Sequence, residues 1–201
     1  CVPNAPGYKT CVVAAQCLPL LDTPKYNDCI ITEAKCNSLL GKPAYDSCIT
    51  TVKSGVDIIK SQIEFMIFKI DQDLGYQNQL LKAKQNTLGI LNQSIDILKQ
   101  LKDCQKSEPP ELAQVQSAKS AIESQITQIQ SVIIARKTLK DDINKITDLS
   151  QIAAFQARVT REVNPGATQK LAFDAEEETK KKEEKRNAYQ ADLTLCLAGN
   201  P

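Results

Sequence analysis

The stretch VKSGVDIIKSQIEFMIFKIDQDLGYQNQLLKAKQNTLGILNQSIDILKQLK, residues 52–102, decides the fold. It contains no proline, and it is several times longer than the roughly 11 to 12 residues of an average globular helix. Its apolar residues return at helical spacing: Val56, Ile59, Ile63, Met66, Ile70, Leu74, Leu81, Leu88, Leu91, Ile95 and Leu98. A helix of that length measures about 75 Å at about 1.5 Å per residue. Its apolar stripe has to be covered, so the spacing predicts later helices laid along the first.

Those helices are visible downstream. Ser107-Glu-Pro-Pro110 ends the first helix, because paired prolines cannot continue a helix but can open the next. A second helix from about Pro110 to Lys145 carries Leu112, Val115, Ile122, Ile126, Ile129, Ile133, Ile143 and Ile146 at intervals of three, four and seven, as in coiled coils. Asp148 and Gln151 form a capping-box pattern for a third helix that buries Ile152, Phe155 and Val159. After Asn164-Pro165-Gly166, a last segment offers Leu171, Ala175, Tyr189, Leu193 and Leu197 to the core. An up-down-up path brings Cys196 to the end of the bundle where Cys104 sits. The third arm is longer than the second helix, so the Asn164-Pro165-Gly166 break has to absorb length or the arm has to overshoot.

The first fifty residues have a different texture. Pro6-Gly-Tyr8-Lys-Thr-Cys11, Pro24-Lys-Tyr26-Asn-Asp-Cys29 and Pro43-Ala-Tyr45-Asp-Ser-Cys48 repeat the pattern P-x-Y-x-x-C at intervals of 18 and 19 residues. Proline suits the first position of a helix, so each unit reads as a short helix, the third running on into the long one. Six of the eight cysteines fall here, with no histidine and no C-x-x-C pair in the chain. That usage indicates a disulfide framework in an oxidising compartment rather than a zinc or redox site. The repeat suggests Cys17–Cys29 and Cys36–Cys48, each twelve residues apart, with Cys1–Cys11 by the same rule and Cys104–Cys196 remaining. Cys1 has a second reading, as the lipid-bearing residue of an anchored lipoprotein, which would leave an odd number of cysteines. Tyr8, Tyr26 and Tyr45 recur once per repeat and are candidate interaction residues, since tyrosine is enriched at interfaces.

Composition narrows the function classes. The formal net charge is +1, aromatics are 4% and tryptophan is absent, so neither a nucleic-acid field nor a large aromatic ligand pocket is expected. The charged run from Asp174 to Arg186 nearly cancels, with Glu176, Glu177 and Glu178 each four residues before a lysine, a favourable helix-surface arrangement. Without histidine there is no Ser-His or Cys-His arrangement, and the seven glycines form no phosphate loop. No catalytic, metal or cofactor site is expected, and no run is long and apolar enough to span a membrane.

Five positions of the long helix, counting the sequon asparagine, stand out. Gln77 and Lys84 interrupt the long stripe either as register-fixing polar contacts or as a mid-rod groove for a partner. Gly75 and Gly89 allow a close helix approach or a bend. Asn92-Gln-Ser94 is a glycosylation sequon in a eukaryotic context.

The sequence therefore predicts an all-α chain: a disulfide-rich head of short helical repeats over 1–50, then an elongated antiparallel three-helix bundle, a coiled-coil-like rod, over 51–201. In architecture alone this resembles secreted coiled-coil matrix subunits, pilus-associated helical proteins and three-helix surface receptors. The expected role is an exported structural or assembly subunit of an extracellular filament, coat or matrix, working through protein contacts and self-association. A surface receptor or adhesin binding a ligand through the head is the alternative.

Overall fold

The computed structural model describes Cys36, residues 44–146 and residues 149–199. The chain is an all-α bundle in which three long helices pack together. The helices described over their whole length are α1 (Tyr45–Gln105), α2 (Glu111–Ile143), α3 (Leu149–Glu162) and α4 (Pro165–Gly199). Residues 66–145 and 155–201 form one compact unit, and the described residues up to Phe65, with 146–154, belong to another. In this second unit Cys36 is buried and bonded to Cys48, with Cα atoms 5.8 Å apart. The head expected over 1–50 lies outside the described residues except for Cys36 and 44–50.

Within the unit that starts at Met66, each long helix keeps one seam at strict alternating intervals of three and four residues. On α1 it runs Met66, Ile70, Asp73, Gln77, Leu80, Lys84, Thr87, Leu91, Ser94, Leu98, Leu101, and only Lys84 among these is not buried. On α2 it runs from Leu112 through Ile122, Ile129 and Ile133 to Ile143, and on α4 from Thr168 through Ala172, Ala175 and Leu193 to Cys196. This spacing is the coiled-coil one, but the residues filling it alternate in character. Leu80, Ala83, Ile129, Ile133, Ala172 and Ala175 make one apolar layer. A larger one, around Leu91, Leu98, Leu112, Ile122 and Leu193, lies toward the Cys104 end. Polar layers separate them.

Partners fix the directions. Asp73, Lys84, Gln93 and Cys104 of α1 meet Thr168, Glu178, Arg186 and Cys196 of α4, so the two helices are parallel. Asp71 and Asp73 meet Lys140 and Arg136, so α2 is antiparallel to α1. The turn between them begins at Lys106, whose φ of 57° is the left-handed conformation that closes many helices. Lys102 reaches Glu108 across the turn at 2.9 Å, and Pro109 is buried beneath it.

The break before α4 is short. Asn164 caps α4, its side-chain oxygen accepting from the Ala167 N–H at 3.2 Å, and Pro165 takes the first helical position, where no N–H is needed. Before the break the arm is paired with α2, through Arg158 with Asp142 and Glu162 with Arg136.

Three expectations are corrected. Leu171 and Leu197 are exposed (55% and 61%), because the α4 seam passes instead through the small and polar residues Thr168, Ala172, Ala175 and Thr179. Glu178 pairs across to Lys84 rather than along α4 to Lys182, and Glu177 takes Lys180, three residues on, at 2.8 Å. Finally, Gly75 and Gly89 admit no close neighbour: a Cβ built on either meets nothing within 4 Å. Both are exposed in the interior of α1, so Gly75→Ala and Gly89→Ala are each expected to stabilise the chain by about 0.5–1 kcal/mol. A rise in the urea midpoint for both variants checks this.

Candidate functional site in the polar layers

The most elaborate polar cluster sits where α1, α2 and the start of α4 meet. Asp73 is 1% exposed, and a carboxylate that deeply placed must be neutralised and hydrogen-bonded. Arg136 on α2 supplies the charge, its Nε donating to Asp73 Oδ2 at 3.0 Å. Thr168 on α4 donates its hydroxyl to Asp73 Oδ1 at 2.6 Å and receives the Gln77 amide at 3.4 Å. Arg136 also donates through Nη2 to the Glu162 backbone carbonyl at the end of α3, with the Glu162 carboxylate 3.8 Å from Nη1. One guanidinium thus ties α1 and α2 to the break between α3 and α4.

Glu162 is surrounded by cations. The hydrogen bond from Arg161 is the largest influence, and with the charge and hydrogen bond of Arg158 it holds the carboxyl below the ordinary value of 4.5 against the opposing effect of burial, which ranks second. A carboxyl depressed in the folded state stabilises the fold at pH above its unfolded value, and that contribution is lost as pH falls through the folded value. Stability is therefore expected to decline as pH drops below about 4.5. Glu162→Gln should flatten that part of the acid limb in urea melts taken across the range.

The second polar layer lies between the two apolar ones. Thr87, fully buried, and Thr179 face each other with hydroxyl oxygens 2.8 Å apart, and the Ala83 and Ala175 carbonyls serve as further acceptors. Beside them Lys84 Nζ meets Glu178 at 2.6 Å, the lysine side chain only 12% exposed. Gln77 and Lys84 thus both engage partners inside the bundle. Both contacts fit the register-fixing reading of these positions.

Cys104 and Cys196 stand at bonding distance, with sulfurs 2.02 Å apart and Cα atoms 6.3 Å apart. Tyr45 is the first residue of α1, whereas Tyr8, Tyr26, Cys1, Cys11, Cys17 and Cys29 lie outside the described residues. The sequence reading did not single out Asp73, Arg136 or Thr168. Their signal was the seam spacing itself, which places all three at core positions despite their polarity.

Among the described residues no group of three His, Cys, Asp or Glu side chains could hold a metal ion. No helix among them is long and apolar enough to cross a membrane. No protein-family model, curated protein or solved structure matches this chain.

Proposed function

We propose that the chain is an exported structural or assembly subunit of an extracellular filament, coat or matrix, acting through protein contacts and self-association without catalysis. The observation that carries this reading is the surface of α4. Leu171, Phe173, Leu195 and Leu197 are 55–72% exposed there, although from Thr168 to Arg186 the same helix fills its seam with threonine, alanine, lysine and arginine. These side chains stand on different sides of the helix, so they offer separate apolar points of contact rather than one patch. Disulfide bonding at Cys36–Cys48 and Cys104–Cys196 is compatible with an oxidising compartment.

The test is light scattering across a concentration series of the oxidised chain, with negative-stain images of the same samples. Growth into long, regular polymers is expected. A particle that stays at 22.1 kDa at every concentration would overturn the assembly reading and direct work to a ligand screen on the cysteine-rich head.

A further inference from the structure

We propose that a cleft between α2 and α4, at the level of Leu91, is a binding site for a small tetrahedral oxyanion of the phosphate or sulfate type. The layer is underfilled. Leu91 and Val115 form its apolar side, while the short side chains of Ser94 and Ala118 leave a cavity of about 60 Å³. A water requires roughly 10–15 Å³ of cavity, so there is room for the four oxygens of one such anion.

The charged side chains lining the cavity are both cationic. Lys182 and Lys185 line it together with Gln114 and Tyr189, and no acidic residue does. Lys182 occupies a seam position of α4 and is half-buried. The other charged seam residues are answered: Lys84 by Glu178, Arg136 by Asp73, Lys140 by Asp71, Lys119 by Glu123 and Arg186 by Glu183. Glu178, one turn before Lys182, is already held by Lys84 at 2.6 Å. Among the described residues, no carboxylate pairs with Lys182.

An ammonium held beside this cleft without a carboxylate partner is available to an anion from solution, which would take charge-assisted hydrogen bonds from it. The remaining donors suit the same guest. Gln114 contributes an amide, and the Tyr189 hydroxyl stays protonated well into the alkaline range because burial, and then the Glu111 carboxylate, push its pKa up. Ser94 already donates to the Ile90 carbonyl at 2.9 Å, so it competes for no anion oxygen.

The experiment is calorimetric titration of the oxidised full chain with inorganic phosphate, and separately inorganic sulfate, at constant ionic strength. Saturable one-site binding is expected. Lys182→Met should weaken it at least about tenfold, equivalent to about 1.4 kcal/mol, and Tyr189→Phe by a smaller factor. Lys137→Met, at an exposed position on α2, should leave it unchanged. In anion-free buffer Lys182→Met should melt at or above the parent, and phosphate should raise the melting temperature of the parent but not of this variant. Absence of saturable binding, binding retained in Lys182→Met, or a Lys182→Met chain less stable than the parent without anion would each overturn the proposal.

Discussion

Replacing Arg136 with methionine is expected to destabilise the chain by about 3–5 kcal/mol, the usual result of leaving one member of a buried ion pair without its partner. The size follows from Asp73, which at 1% exposure cannot recover its charge balance from water. Thr168 and Gln77 would still surround it, but only Thr168 donates to the carboxylate directly. Methionine keeps most of the arginine stem, so the loss would report charge rather than volume. Adding Asp73→Leu should recover most of the loss, since apolar replacement of a whole buried pair is often neutral or stabilising. Urea unfolding of the parent, both single variants and the double variant closes the cycle. If Arg136→Met unfolded at the parent's midpoint, the Asp73 layer would not be the buried, dependent cluster described above.

Opening the Cys104–Cys196 bridge should be nearly as severe. The two cysteines are separated by 92 residues. Closing a loop of that size stabilises by about 4–5 kcal/mol in the chain-entropy account, whereas measured bridges more often give about 2–4 kcal/mol. The double variant Cys104→Ser, Cys196→Ser is expected to fall in that lower range. Hydrogen exchange should locate the change. Amides around Leu101, Leu112 and Leu193, in the apolar layer toward the bridge, should lose more protection than those around Asp73. Equal loss along the whole of α4 would mean that the helix comes away as one piece, and that the polar layers do not hold it independently.

Much of this architecture was legible before any coordinates. Intervals of three and four in α1 and α2, the Pro109–Pro110 turn and the joint position of Cys104 and Cys196 all follow from residue type and spacing. What hydrophobicity could not reveal was the α4 seam. Thr168, Ala172, Ala175, Thr179, Lys182 and Arg186 carry too little apolar surface to mark a buried face, so Leu171 and Leu197 drew attention to the wrong side. The spacing was nonetheless present, running back from Leu193 without a skip. Middle sections of α1 likewise escaped: Leu74, Leu81 and Leu88 are only half-buried, while Asp73, Gln77 and Thr87 are buried beside them. A buried polar residue is intelligible only with its partner, and Arg136 lies 63 positions away from Asp73.

Helices with a uniform apolar seam can slide past one another by seven residues and bury nearly the same surface. Here sliding is penalised in both directions. A shift of α4 by one heptad one way would set Ala175 against Asp73 and Lys185 against Lys84, leaving a carboxylate facing a methyl group and two ammonium groups facing each other. The opposite shift would bring Leu171 to Lys84 and Ala172 to Thr87. Only the observed alignment answers Asp73, Lys84 and Thr87 together. The polar layers thus trade some of the apolar burial that three helices could have had for a single permitted alignment.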